Sequence, residues 1–460
     1  MTLRIPRDEI WLFGACGLLG AMTGLLAGID GRLAIGVAVA IAFLLVALAN
    51  LTMALALFLF LGFVVANPIF GAASQDALRL VLATPLILSW LAVVARGESS
   101  QKTFVGVHPA VSLLMLMVVG WAGLSVLWAE DAALVMRSVL GYGLGMILVL
   151  IAFTAVQRQR DLVIVIGAIV VGAAISAAYG FLSPPAASDP GLHDRLTGTL
   201  GDPNYLAAAM VLGVGLSGGL FAIAKTPLTR GAALGAGVLC LIAIFPTASR
   251  GGLLALAAML IAAVILTKGR RLALSLAILL IALAGTGYVF AAAPQENKDR
   301  ILHPNASGGS GRIDIWTVAG RMVSAHPIRG VGAGNFQVSS IHYLLRPGLL
   351  PNDQYIADTP QVAHNTYLGV LAELGFTGAI LFLALILFGL GCMLAALARF
   401  RALQKRQLQA LTTAVAVSLI GLLVAYFFLS DEYSRPLWVL VGLGPPLLAM
   451  AKRMEPDVAA

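Results

Sequence analysis

Charge is what this sequence has least of. Only 11% of its 460 residues are Asp, Glu, Lys or Arg, against 60% hydrophobic residues. A soluble chain of this length carries roughly a quarter charged residues, so a water-soluble globular protein is excluded at the outset. Cysteine is nearly absent as well. Cys16, Cys240 and Cys392 all lie inside apolar runs, where they read as small core residues; neither a disulfide framework nor a metal cluster is expected. No Gly-x-x-x-x-Gly-Lys stretch occurs, so there is no phosphate loop. Gly330-Val-Gly-Ala-Gly334 follows His326-Pro327 in a loop, which is the wrong context for a dinucleotide fingerprint. Glu130-Asp131 is a weak acidic pair, and no Asp-x-Asp stands out to hold a metal. No cofactor is expected.

What the sequence has instead is repeated apolar runs, each long enough to cross a hydrocarbon core of about 30 Å. They predict an all-α integral membrane protein with about 12–14 transmembrane helices. The spans fall at 10–27, 33–48, 51–66, 77–95, 109–128, 134–155, 162–182, 204–224, 231–247, 252–267, 272–293, 366–398, 409–429 and 436–451. Ala49 and Asn50 alone separate the second from the third, and the run at 366–398 is long enough to be tilted or to extend beyond the bilayer. Arg4 and Arg7 precede the first run with no small-residue cleavage site after it, which predicts an uncleaved first helix.

The net charge of +8 is distributed, and the distribution gives a direction. With the N-terminus inside, the inner connections hold Arg96, Lys102, Arg158, Arg160, Lys225, Arg230, Lys268, Arg270, Arg271, Arg399, Arg401, Lys405 and Arg406, while the short outer ones hold only Arg32, Arg250 and Arg435. By the positive-inside rule both termini are cytoplasmic, and the basic balance needs no nucleic acid to explain it. The chain divides into an N-terminal helix bundle at 1–293, a large outer loop at 294–363 and C-terminal helices at 364–460. A polar segment of seventy residues between two spans usually carries function. The loop contains a flexible stretch at 305–311. A helix is predicted from Arg312 to about Ala325, with Ile315, Trp316, Ala319 and Val323 on one face, ended by His326-Pro327.

The outer side gathers the residues that can do chemistry. Arg250 sits in a tight turn between two spans, where a guanidinium is expensive without an anionic partner. That partner is either a lipid phosphate reached by snorkelling or a diphosphate ligand whose oxygens match the guanidinium fork. Arg195 precedes a glycine-rich turn and Asn204, a candidate helix cap; it is either a third cation of the site or a surface charge paired with Asp194 or Asp202. Arg312 and Arg321 are nine residues apart, about 900° around a helix, so they face opposite ways and only one reaches a given site. Arg312 is the expected one, and Arg321 is expected to be structural. Arg329 and His326 follow in the same loop. His364, followed by Asn365, stands at the outer mouth of the twelfth span. It is either a cap or a base able to take a proton from a sugar hydroxyl. Glu373, nine residues further, either orients the site or pairs with an arginine.

Five segments resemble the O-antigen ligase and O-antigen polymerase family of membrane glycosyltransferases. They are Gly198-Thr-Leu-Gly-Asp-Pro-Asn-Tyr205, Thr247-Ala-Ser-Arg-Gly-Gly252, Ser310-Gly-Arg-Ile-Asp-Ile-Trp316, His326-Pro-Ile-Arg-Gly-Val-Gly-Ala-Gly-Asn335 and His364-Asn-Thr-Tyr-Leu368, in the family's order. The spacing of Arg321 to Gly332 fits the ligase pattern, as do His364-Asn365 with Gly375 and Gly378; Ala379 stands where that pattern has Thr. The resemblance implies an inverting glycosyltransferase of the inner membrane, working on its periplasmic side in lipopolysaccharide or exopolysaccharide biosynthesis. Its donor would be a glycan on undecaprenyl diphosphate, bound by arginines, and a histidine would activate the acceptor. A ligase would pass the glycan to lipid A-core, a polymerase to another lipid-linked repeat. A flippase or transporter of lipid-linked glycan is the distant alternative. It would use ionisable residues within the spans, of which Arg79, Arg137 and Glu373 are the candidates.

Overall fold

The computed structural model of the protein describes residues 24, 28, 31–64, 71–97, 103–183, 195–267, 269, 271–302, 312–344 and 361–455. Among them there are helices and turns but no strands. The helices in chain order are α1 (Gly31–Ala49), α2 (Leu51–Val64), α3 (Gly71–Ala95), α4 (Pro109–Leu124), α5 (Ala132–Ala155), α6 (Gln159–Leu182), α7 (Pro203–Ile223), α8 (Pro227–Ile244), α9 (Arg250–Leu266), α10 (Arg271–Ala291), α11 (Gln295–Leu302), α12 (Arg312–Ala325), α13 (Phe336–Ser340), α14 (Thr366–Ala402), α15 (Arg406–Ala425) and α16 (Arg435–Arg453).

The protein is an all-α integral membrane protein. Eight helices among the described residues are long and apolar enough to cross a bilayer: α4 with its 3-10 extension, α5, α6, α7, α8 with its extension, α10, α14 and α15. Three shorter apolar helices, Leu51–Val64, Leu82–Ala95 and Arg250–Leu266, add to them. The span expected at 10–27, with Cys16, Arg4 and Arg7, falls outside the described residues save Gly24.

Burial divides the helices into a centre and a rim. About 67% of the apolar windows of α7 and α15 is buried, against 11% for α10. On α10, Leu272, Leu276, Leu279, Leu280, Leu283 and Phe290 are exposed. So large an apolar face is untenable in water and natural in lipid. α7 packs against α8, α6 and α15, and α15 against α9, so α7 and α15 lie at the centre of the bundle.

The helix starts follow from local sequence. Asp131, Asp202 and Thr226 each cap the helix that follows, and the last two precede a proline at the first helical position. Asp202 Oδ1 accepts from the amides of Asn204 at 2.7 Å and Tyr205 at 3.0 Å. The cap of α7 is therefore Asp202 and not Asn204, because a cap must precede the proline that opens the helix.

α14 differs from the expected long tilted span. It continues to Ala402 but is interrupted at Gly375, which has φ 66° and ψ −172°. In the sequence this position is one glycine among fifty; in the fold it is a break in the middle of an apolar run.

Outside the bundle a second, small core forms. Ile315, Val318, Ala319 and Met322 on one face of α12 pack with Val331, Phe336, Tyr343, Ala363 and Ala372. Of the face expected from the sequence, Ile315 and Ala319 are at its centre, and Trp316 and Val323 at its edge.

Candidate functional site

Four helices begin at one corner of the molecule. α7 and α9 meet where Asn204 Oδ1 accepts from Ser249 Oγ at 2.8 Å, and Ser249 in turn caps α9 through Gly252 N at 3.2 Å. The turn before α9 is tight, with Ala248 in the left-handed region at φ 48°. Arg195 is buried here. Its Nε donates to Thr247 O at 2.9 Å and its Nη2 to Asn204 Oδ1 at 3.3 Å, while Leu196 N donates to Pro246 O at 2.9 Å. The guanidinium thus pins the segment before α7 onto the turn that presents Arg250. Arg250, half-buried, is the first residue of α9, and Gly251 beside it packs directly under Phe428.

Arg312, the first residue of α12, comes to the same place. Its guanidinium carbon lies 5.9 Å from the centre of the Phe428 ring. So does His364, just ahead of α14. Its backbone is in the left-handed region at φ 47°, which histidine tolerates better than most residues. Both flanks are fastened: Trp316 Nε1 donates to Ala363 O at 3.0 Å, and Asn365 Oδ1 caps α14 through Leu368 N at 3.0 Å. Thr366 anchors the start of the helix to the turn after α15, donating its amide to Tyr426 O at 2.9 Å and its hydroxyl to Leu429 O at 2.8 Å. Burial and the Arg312 guanidinium hold the His364 imidazole below its ordinary pKa, and Asp202 pulls the other way. His364 is therefore neutral near pH 7, the state in which it can accept a proton.

The corner therefore gathers Arg195, Arg250, Arg312 and the amino ends of α7, α9, α12 and α14, each of which carries a partial positive charge. Cations and helix N-termini together favour an anion. Among the described residues no group of three His, Cys, Asp or Glu side chains is placed to hold a metal.

The remaining candidates go elsewhere. Arg321 Nη1 donates to Tyr343 O at 2.8 Å and Leu344 O at 3.1 Å, closing the small outer core. Arg329 lies over Trp128, 5.8 Å from the ring centre. Arg137 is exposed on α5, and the side chain of Arg79 lies outside the described residues, as do Asp194 and the stretch at 305–311.

Glu373 is buried and serves the break in α14. Its carboxylate accepts from Gly334 N at 2.7 Å and Phe336 N at 3.3 Å. The glycine-rich loop threads into the break: Val331 N donates to Ala372 O at 3.0 Å, Gly332 N to Glu373 O at 2.8 Å and Phe376 N to Pro327 O at 2.7 Å. Trp121 Nε1 donates to Leu374 O at 2.9 Å. The backbone groups that the interruption would orphan inside an apolar run are thus nearly all paired, which is the condition for irregular backbone at membrane depth. Gly375 and Gly330 permit the fit. A Cβ on Gly375 would overlap the Ile328 carbonyl, one on Gly330 the Glu373 carbonyl, and both have positive φ. Asn335, fully buried, fixes the far end of the loop, accepting from Asp131 N at 2.7 Å and donating to Asp131 O at 3.1 Å. Glu130 beside it pairs with His342 at 3.1 Å.

Sequence reasoning named most of these residues but missed Asp202, Ser249 and Phe428 as parts of the corner. Asp202-Pro203 is a legible cap signal, and Ser249 precedes a helix in the same way. Phe428 has no local signal, because only the meeting of the turn after α15 with the amino end of α9 brings it in.

No curated protein matches the chain. The family described as O-antigen ligase matches residues 235–383, a stretch that includes Arg250, Arg312, Arg321, His364, Asn365 and Glu373 but not Arg195, Asp202 or Asn204. The chain is thus similar to the O-antigen ligase family over 235–383, and that match supports the O-antigen ligase and polymerase family.

Proposed function

We propose that the corner is the active site of an inverting glycosyltransferase facing the periplasm, with its large loop at 294–363 on that side and both chain termini in the cytoplasm. The donor is a glycan on undecaprenyl diphosphate in the bacterial inner membrane, and the acceptor is lipid A-core. The observation that carries the reading is the meeting of three arginines and a neutral, firmly held histidine at the ends of four helices. Arg250 and Arg312 grip the diphosphate, and Arg195 together with Asn204 holds the turn that presents Arg250. His364 takes the proton of an acceptor hydroxyl as its oxygen forms the bond to the anomeric carbon. The bond from that carbon to the phosphate oxygen breaks, and its electron pair leaves on the diphosphate, whose charge the arginines stabilise. The imidazolium then returns its proton to solvent. No metal and no nucleotide enters the balance, because the energy is stored in the donor's diphosphate linkage.

Asn365 supports this arrangement by capping α14, and Glu373 by sealing the break below it. Polymerisation of lipid-linked repeats uses the same donor chemistry, and Ala379, at the place of the ligase pattern's threonine, is the observation in its favour. The test is transfer by the purified protein from undecaprenyl-diphosphate glycan, with lipid A-core and a lipid-linked repeat offered separately. Product on lipid A-core is the expected result, and extended lipid-linked chains would replace ligase with polymerase. Binding of the donor without product on either acceptor would favour a transporter.

A further inference from the structure

The glycine-rich loop enters the break in α14 through a tight turn with an isoleucine at its apex. Gly330 N donates to His326 O at 2.9 Å, which closes residues 326–330 around Ile328. The turn is pressed onto α14. Phe376 N donates to Pro327 O at 2.7 Å, and the Ile328 carbonyl stands where a Cβ on Gly375 would be. The Ile328 side chain is nevertheless 68% exposed. Arg329, the next residue, reaches to α4 and lies over Trp128, whose ring centre is 5.7 Å from that of Trp121.

The surroundings of the apex follow from the two helices it rests on. On α14, Phe376, Ile380, Leu383 and Leu387 are exposed at helical spacing and form one stripe that starts beside the turn. Leu113, Leu116, Leu124 and Leu127 form a second stripe on α4. Both helices are long and apolar enough to cross a bilayer, so these stripes face lipid. The same helices give the depth. Trp121, which bonds Leu374 O beside the break, is twelve residues from Pro109 at the start of α4, roughly 18 Å at about 1.5 Å per residue. Phe376 is twenty-three residues from Arg399, in the basic last turn of α14, roughly 34 Å. A hydrocarbon core is about 30 Å thick, so both lengths bring the turn to its edge or inside it. Trp128 lies further toward the end of α4, at the level where tryptophan rings collect and arginines reach lipid phosphate.

We propose that the turn at 326–330 is a lipid anchor: Ile328 inserts among the acyl chains of the bilayer beside Phe376, and Arg329 extends over Trp128 to the phosphate level. A polar loop, expected from the sequence to stand wholly in water, thus touches down in the membrane. It does so directly after α12, and so fixes the end of the helix that carries Arg312 relative to the bilayer. The anchor depends on the membrane-spanning fold and not on the chemistry of the corner.

The test is the accessibility of a nitroxide at Ile328→Cys, in full-length protein with Cys16, Cys240 and Cys392 replaced by Ala. The protein is placed in nanodiscs of phosphatidylethanolamine and phosphatidylglycerol. Leu387→Cys on the α14 stripe is the lipid reference, and Lys405→Cys in the exposed turn after α14 is the aqueous one. The label at 328 is expected to relax strongly with oxygen, as at 387, and several-fold less than at 405 with the water-soluble nickel complex NiEDDA. Arg329→Cys serves as a second site should Ile328→Cys not fold, with NiEDDA access expected below that at 405. Access to NiEDDA equal to that at 405 would overturn the proposal and leave the turn in water. Low access to both reagents would overturn it as well, because another protein surface would then cover the apex.

Discussion

Two regions at the same end of the molecule use the same small vocabulary of arginine, glycine, acid and histidine for opposite purposes. At the break in α14 nearly all the polar groups are paired from within. Glu373 is taken up by backbone amides, the loop at 327–336 pairs with the open turn, and glycines allow the two strands of backbone to touch. At the corner formed by α7, α9, α12 and α14 the internal bonds go to the frame, and positive charge accumulates at helix ends. Arg195, Asn204 and Ser249 hold the geometry, while the neutral His364 is fixed through its backbone. The difference separates two readings of a polar residue near a membrane: a region whose bonds close on itself maintains structure, and one that gathers an excess of positive charge at helix ends is arranged for something from outside.

Substitutions can break that comparison. The largest effect is expected at Gly375, where a side chain would force the loop out of the break and place a residue with a Cβ at positive φ. Gly375→Ala should destabilise the protein by more than about 3 kcal/mol, read as a large loss of thermal stability in detergent together with loss of all activity. A Gly375→Ala protein with wild-type melting would show that the loop does not lock α14. Next, Glu373→Gln leaves one of two buried amides facing an NH₂ group, at about 1–3 kcal/mol. Its melting temperature should fall, and any remaining folded fraction should transfer glycan normally; a specific loss of transfer without loss of stability would move Glu373 into the site. The smallest effect is expected at Arg321, where loss of its bonds to Tyr343 and Leu344 should cost about 1 kcal/mol and leave transfer within several-fold of wild type. Arg312→Ala should do the reverse, with little change in melting and a loss of transfer larger than that of Arg321→Ala. The opposite order would merge the two regions that the structure separates.

Much of this was legible before any coordinates. The apolar runs give the helices because a chain with 11% charged residues has few other ways to satisfy its backbone in lipid. The extent of α12, Arg312–Ala325, follows from its periodicity and from the His326-Pro327 stop. The 900° between Arg312 and Arg321 separates their destinations, one at Phe428 and the other at Tyr343. The sequence is silent where the cause is tertiary. Nothing local marks Gly375 as a break, since its neighbours are as helical in composition as the rest of α14, and the partner that makes the break tolerable lies some forty residues earlier. Glu373 reads as a charge that either orients the site or pairs with an arginine, yet its partners are amides, which no residue name reveals. Asn204 reads as a cap because Asn caps helices, but Pro203 moves the cap back to Asp202.

The central claim is that the corner binds a diphosphate through its arginines and transfers a proton through His364. The most direct measurement is donor binding and transfer on the same preparations of wild type, Arg250→Lys and His364→Ala, with undecaprenyl-diphosphate glycan as ligand and donor. His364→Ala should bind donor as wild type does and lose about 10²–10⁴-fold in transfer. Arg250→Lys should bind weakly, because a point charge does not replace the guanidinium fork. A folded His364→Ala protein that transfers at the wild-type rate, or an Arg250→Lys protein that binds donor as tightly as wild type, would contradict the account.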